Sequence, residues 1–152
     1  MGLDNFETWP RHDHYQFFST FEYPHFNLCA NVDITEFLPA IKSAGASFSA
    51  AVMYLIARTA NGIPEFRQRV REGNPIEYDV VHPSATILTK DDLFSFCTVL
   101  YTPDFRDFIK EAEEEIKLVK TTPYIEEKIQ DDSMLFMSSI PWVSFTGFMH
   151  PL

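Results

Sequence analysis

The strongest constraint on the fold lies between residues 85 and 119, where two strand patterns are followed directly by a helix pattern. Residues 85–89 and 93–99 are rich in β-branched and aromatic side chains, and three polar residues separate them. This pattern predicts a β-hairpin. Pro103 and Asp104 then begin a long segment with apolar residues at helical spacing. A hairpin and an amphipathic helix bury their apolar faces against each other, so the region predicts a helix packed on a sheet.

Other segments extend this pattern in both directions. A helix is predicted from residue 33, capped by Asp33 or Thr35, and a more apolar one over residues 47–61. The apolar face proposed for the second helix consists of Phe48, Val52, Leu55, Ile56 and Thr59. Strands are predicted over residues 76–80, 134–139 and 143–148, and the acidic run at 111–115 is predicted to face solvent. The chain is therefore expected to form a single domain, residues 1–152, with a mixed α/β sandwich fold.

The charge balance excludes some classes of function. With 22 acidic and 12 basic side chains the formal net charge is −10, which opposes binding to nucleic acid and to anionic membrane surfaces. The two cysteines, Cys29 and Cys97, form no CxxC pair. They fit reduced, buried thiols, although their spacing does not exclude one bridge. No signal peptide or membrane span is recognised, so a cytoplasmic location is expected.

Generic catalytic motifs do not explain the chain. His12, Asp13 and His14 resemble part of a metal site, but residues two apart on a helix do not face each other, and no HExxH or cysteine pair completes the set. No metal is expected. The glycine-rich phosphate loops and the GxSxG nucleophile motif are also absent from the sequence.

Six segments, taken in order, resemble the chloramphenicol acetyltransferase family. The first is the Trp-x-Arg-x-x-His-like motif at residues 9–18, and the second is the pair of helices at 32–35 and 48–58. The next three are Pro-Glu-Phe-Arg at 64–67, Tyr-Asp-Val-Val-His-Pro at 78–83 and Leu-Phe-Ser-Phe at 93–96. The last, Ser-Ser-Ile-Pro-Trp-Val-Ser-Phe-Thr at 138–146, is the most similar. The resemblance implies the two-layer mixed sandwich of coenzyme A-dependent acyltransferases.

The resemblance implies transfer of an acetyl group from acetyl-CoA to a hydroxyl of chloramphenicol or a similar small acceptor. Ser138 falls at the family's serine, which donates a hydrogen bond to the tetrahedral oxyanion. Phe17, Phe18 and Phe94 fall where the family lines its acceptor pocket with aromatic rings. Arg11 falls at the arginine that supports the active-site geometry. Phe18 stands where well-known members have a tyrosine, so the acceptor itself stays open.

The family's catalytic base belongs to a His-His-x-x-x-Asp-Gly motif, which these 152 residues do not contain. The chain is therefore expected to be C-terminally incomplete and nearly inactive by itself, with Arg11 exposed or paired differently. His150 is expected to lie on another strand. The family assembles as homotrimers, which is the expectation for the complete form. The alternative is a non-catalytic module with the same fold that binds small ligands or forms trimers.

Overall fold

A computed structural model describes residues 6–90, 92–122, 129 and 131–148 of the chain. Four α-helices are present in this part: α1 (His12–Ser19), α2 (Phe37–Ser43), α3 (Phe48–Asn61) and α4 (Phe105–Thr121). The strands are β1 (Gln68–Arg71), β2 (Asn74–Glu77), β3 (His82–Leu88), β4 (Phe94–Thr98) and β5 (Met134–Ser138). Two short 3-10 helices cover Phe6–Thr8 and Pro64–Arg67.

The main sheet has the strand order β4-β3-β5. β3 and β4 pair antiparallel, with Ser84 opposite Thr98 and Leu88 opposite Phe94, which confirms the predicted hairpin. β5 adds to the other edge of β3 in the parallel direction, so that Thr86 pairs with Ser138. The sheet therefore brings residues about fifty positions apart in sequence into one layer.

Helices α3 and α4 cover one face of this sheet. Side chains alternate between the two faces of a strand, and the odd-numbered ones of β3 and β4 point toward the helices. Buried members of the resulting core include Ala85, Ile87, Cys97, Val99 and Phe108. The predicted two-layer α/β arrangement is confirmed.

Helix α4 follows its predicted pattern apart from one side of the acidic run. Asp104 caps the helix, since its carboxylate accepts hydrogen bonds from the backbone N–H groups of Arg106 and Asp107 at 2.8 and 3.0 Å. The prediction that the acidic run faces solvent is partly wrong, because Glu115 is buried. Glu113 accepts a hydrogen bond from the backbone N–H of Ser47, the residue before α3, at 2.8 Å. Part of the acidic run thus connects the two helices.

Helix α3 buries the opposite face from the one proposed. Its buried residues are Ala50, Ala51, Met53, Tyr54, Ala57 and Ala60, whereas Leu55, Ile56 and Phe48 are exposed. This helix is apolar on both sides, so periodicity alone does not choose between them. Alanines allow the helix axis to approach the sheet closely, and dense packing favours that choice.

Three smaller differences concern the ends of elements. α2 begins at Phe37 rather than at residue 33; Asp33 instead accepts a hydrogen bond from the backbone N–H of Thr35 in the preceding turn. The strand predicted at 76–80 is the second half of a hairpin, β1–β2, whose turn places Glu72 and Gly73 at positive φ. Residues 143–148 form no strand and are exposed, so that prediction is wrong. His150 lies outside the described residues.

Among the described residues, no single helix is long and apolar enough to cross a membrane. The pair α2 and α3 reaches the required length only together, and it bends by 108° at the break.

Candidate functional site

A cavity of about 980 Å³ lies over the sheet face that the helices leave uncovered. Its floor consists of Ser84 and Thr86 from β3, Phe96 from β4, and Phe136 and Ser138 from β5. These side chains have even numbers, and strand alternation points them away from the helical layer. Two irregular segments, residues 27–31 and 145–148, form the other side of the cavity, and we call them the roof.

Two pairs of hydroxyl groups lie on the floor. The Oγ atom of Ser138 is 2.8 Å from Oγ1 of Thr86, its partner in the parallel register. Closer to the other end of β3, Thr98 donates a hydrogen bond to Ser84 at 2.9 Å, and both of these residues are buried. Ser138 ends β5 and is exposed to the cavity. Ser138 therefore presents its hydroxyl to the cavity at the end of a strand, in hydrogen-bond contact with Thr86.

Aromatic and aliphatic side chains surround these polar groups. The apolar lining residues are Leu28, Phe96, Phe136, Ile140, Phe145 and Phe148. Small-molecule sites usually combine such a lining with a few well-placed polar groups. The lining of this cavity has that composition.

The roof is held by hydrogen bonds between its two segments. The side-chain amide of Asn27 donates to the carbonyl oxygen of Phe148 and, at 3.6 Å, to Sγ of Cys29. Cys29 is exposed, so the prediction of two buried cysteines is wrong for it, whereas Cys97 lies in the core. Sequence reasoning did not identify Asn27, because no local motif signals a contact across 121 residues.

The three aromatic residues assigned to the acceptor pocket occupy two places. Phe94 is on the same sheet face as Ser138, and its ring is 5.8 Å from that of Phe96, which lines the cavity. Phe17 and Phe18 project from α1 and pack edge-to-face with Phe21, at ring distances between 5.2 and 5.4 Å. None of the three belongs to the residues lining the cavity. Their role in acceptor binding stays a prediction.

Arg11 forms an ion pair with Glu65 at 2.9 Å, and both side chains are about half exposed. Exposed pairs of this kind contribute little to stability. The pKa of the Glu65 carboxyl is lowered, first by a hydrogen bond from its own backbone N–H and then by Arg11. The pair joins α1 to the segment that follows α3.

A further polar cluster fixes the beginning of β5. Arg69 donates to the backbone carbonyl oxygens of Asp132 and Met134 at 2.7 and 2.9 Å. The carboxylate of Asp132 accepts hydrogen bonds from Tyr78 and Arg71, and these two bonds lower its pKa. Sequence reasoning missed this cluster, since its members are about sixty residues apart. It connects the β1–β2 hairpin to the strand that carries Ser138.

Comparison with known proteins identifies the family. A family model described as chloramphenicol acetyltransferase matches residues 3–151. The chain belongs to the chloramphenicol acetyltransferase family. It is similar to the chloramphenicol acetyltransferase of Klebsiella sp., with 31% identity over 141 residues that cover 92% of this chain and 64% of that protein. The chloramphenicol acetyltransferase of Clostridium butyricum is 32% identical over 154 residues, which cover 97% of this chain and 69% of that protein.

A solved structure of a chloramphenicol acetyltransferase supports the same assignment. It superimposes with a TM-score of 0.85 and 25% sequence identity, and the match covers 99% of this chain and 74% of the solved one. The chain thus has the fold of the family, and it spans 64% of the length of the first relatives it matches.

Two of the six segments of resemblance, 93–96 and 138–146, contribute residues to the lining of the cavity. Residues 138–146, the most similar of them, run from the end of β5 through the roof. Within the described part of the chain, no group of three or more His, Cys, Asp or Glu side chains is arranged to hold a metal ion.

Proposed function

We propose that this chain provides the acceptor cavity and the oxyanion-binding hydroxyl of an O-acetyltransferase of the chloramphenicol acetyltransferase type. The donor is acetyl-CoA, and the acceptor is chloramphenicol or another small molecule with a hydroxyl group. One observation carries the proposal: Ser138 presents its hydroxyl to an aromatic-lined cavity, 2.8 Å from Thr86.

The reaction requires a hydrogen-bond donor at the position where negative charge develops in the transition state. The acceptor oxygen attacks the thioester carbonyl, a tetrahedral oxyanion forms, and its collapse breaks the carbon–sulfur bond and releases coenzyme A. A hydrogen bond from Ser138 to the oxyanion is made in full only when that charge exists, so it lowers the barrier selectively. Either hydroxyl of the Thr86–Ser138 pair can donate to the other; when Thr86 donates, the Ser138 proton is available for the oxyanion.

The attacking hydroxyl also needs a base to accept its proton. The family resemblance assigns that role to a His-His-x-x-x-Asp-Gly motif, and these 152 residues do not contain it. General-base help is worth roughly 10²–10⁴-fold in rate. We therefore propose that the 152-residue chain by itself is nearly inactive and that turnover needs a segment carrying this motif.

The roles of the other candidate site residues follow from the same family resemblance. Phe94 extends the aromatic floor beyond Phe96, and Phe17 and Phe18 contribute to the acceptor pocket from α1. Arg11 supports the site. Because these 152 residues lack the family's aspartate partner, Arg11 pairs with Glu65 instead. We further propose that residues 1–152 form one domain and that the active protein is a cytoplasmic homotrimer.

Replacement of the proposed oxyanion donor tests the function. In a chain extended by a segment with the His-His-x-x-x-Asp-Gly motif, we expect Ser138→Ala to lower kcat for acetyl-CoA-dependent acetylation about a hundredfold or more. KM for the acceptor should change little, because the lost bond is made in the transition state.

Ser139→Ala is the matched control, since Ser139 is the adjacent serine and does not line the cavity. Equal activities of the Ser138→Ala and Ser139→Ala variants would contradict the role of Ser138. If the extended protein binds chloramphenicol but never acetylates it or other hydroxylated acceptors, the non-catalytic module is the better description. Efficient turnover by the 152-residue chain alone would contradict the need for the absent motif.

A further inference from the structure

The roof of the cavity has little structure of its own to hold it in place. Residues 27–31 and 145–148 contain no helix or strand. Several of their apolar side chains are turned largely to solvent, including Leu28 at 82% and Phe145 at 55% exposure. Neither repetitive backbone bonding nor burial therefore fixes the two segments over the sheet.

Two side chains of the first segment connect it to the second. Asn27 donates to the carbonyl oxygen of Phe148, and Cys29 is close to the same oxygen, at 3.7 Å from its sulfur. Within the described residues, these are the hydrogen bonds that join 27–31 to 145–148. A thiol is a weak donor, so the amide of Asn27 is the stronger of the two.

We propose that Asn27 is a positioning residue that holds the roof closed and so determines how tightly the cavity encloses a ring-bearing acceptor. The identity of the ligand rests on the proposed function; the connection itself does not. An aromatic ligand above Phe96 and Phe136 needs an apolar surface on its other side, which Leu28, Phe145 and Phe148 provide when the segments stay together. Without the connection, ligand binding must order the roof and loses affinity.

The connection is first tested without any ligand. Phe148→Cys places a second thiol next to Cys29, whose sulfur is already 3.7 Å from the carbonyl oxygen of that residue. Under mild oxidation with diamide we expect rapid formation of an intramolecular disulfide. Adding Asn27→Asp removes the donor at almost unchanged volume, and trapping should slow several-fold.

The matched control is Asn31→Asp in the same Phe148→Cys background. Asn31 is exposed on the same segment and lines the same cavity, so the control introduces the same charge without removing the connection. Trapping rates that are equal in the Asn27→Asp and parent proteins, or slowed as much by Asn31→Asp, would overturn the role of Asn27. Cys97 does not interfere, because it is fully buried.

Ligand binding is then measured with chloramphenicol on the chain with Phe148 intact. Bound ligand should protect Cys29 from a small maleimide, and the concentration dependence of protection yields Kd. We expect the Kd of Asn27→Asp to be about three- to tenfold higher than that of Asn31→Asp, which carries the same added charge; the difference corresponds to the loss of roughly one hydrogen bond.

The two tests separate the two hypotheses. Suppose that chloramphenicol does not protect Cys29 in the wild-type chain while disulfide trapping still depends on Asn27. Chloramphenicol is then rejected as the ligand, and the role of Asn27 in connecting the two roof segments is supported. If chloramphenicol protects Cys29 equally in wild type and Asn27→Asp, the positioning role is overturned and the proposed function is unaffected.

Discussion

Among single residues, His82 shows how a side chain without a catalytic motif acquires a defined protonation state. Its Nδ1 atom accepts a hydrogen bond from the backbone N–H of Tyr101 at 2.9 Å, so the proton of the neutral ring is on Nε2. Burial lowers the pKa of His82, and the nearby carboxylate of Asp131 only partly opposes this effect. A protonated ring would direct an N–H group at the N–H of Tyr101.

This arrangement predicts a loss of stability in mild acid. The unfolded chain binds a proton at His82 near pH 6.5, whereas the folded chain binds it only at lower pH. His82 therefore makes its full contribution to the free energy of unfolding above about pH 6.5. This contribution decreases as the pH falls toward the folded-state pKa. Urea unfolding between pH 7.5 and pH 5 measures this slope.

His82→Asn is the informative variant, because its amide oxygen can accept the Tyr101 bond and does not titrate. We expect a flatter dependence of stability on pH in this variant than in wild type. The same slope in both proteins would assign the acid sensitivity to other groups.

At the scale of elements, the β1–β2 hairpin determines where β5 begins. Arg69 donates to the backbone carbonyls of Asp132 and Met134, two residues apart at the start of that strand. The carboxylate of Asp132 accepts hydrogen bonds from Arg71 and Tyr78. In a strand, a shift of one residue turns every side chain to the opposite face. The cluster thus supports the register that places Ser138 in the cavity.

Removal of the guanidinium should destabilise this junction. Arg69→Met keeps much of the length but leaves partly buried carbonyls without donors, and we expect a loss of about 1–3 kcal/mol in the free energy of unfolding. Arg69→Lys keeps the charge without the planar fork and should recover part of the loss. Urea denaturation measures the free energy of unfolding of wild type, Arg69→Met and Arg69→Lys. Equal stability of Arg69→Met and wild type would show that the cluster does not hold β5.

Local patterns predicted elements well wherever the deciding interaction was local. Asp104 at the start of α4 and the polar turn between β3 and β4 act on their immediate neighbours, and both elements were predicted. The buried face of α3 was not, because Leu55 and Ile56 compete with the alanines in any count of apolar residues. Only the closeness of the sheet, which favours small side chains, decides between them.

At the scale of the whole molecule, one ring joins the layers. Phe108 of α4 is fully buried and packs against Tyr54 of α3 and Tyr101 after β4, with ring centroids 5.5 and 6.5 Å apart. It is the point where both helices and the sheet meet.

Phe108→Ala should therefore weaken the entire fold. Truncation of a buried Phe costs about 3–5 kcal/mol, a large share of the 5–15 kcal/mol typical of a domain. Leu118→Ala is the control on the same helix, because Leu118 is 47% exposed, and its cost should be near 0.5 kcal/mol. Thermal unfolding followed by circular dichroism compares them; similar midpoints would mean that α4 is not part of the cooperative core.

The amino-acid sequence by itself determined the helix-on-sheet class, the β3–β4 hairpin, helix α4 and the family resemblance, because turn residues, caps and side-chain periodicity act over a few positions. It also singled out Ser138. Tertiary structure alone decided which hydroxyl orients Ser138, which face α3 buries, and that Asn27 meets Phe148 above the cavity. These contacts join residues that are far apart in the chain, and their partners are selected by packing and strand register, which no local pattern encodes.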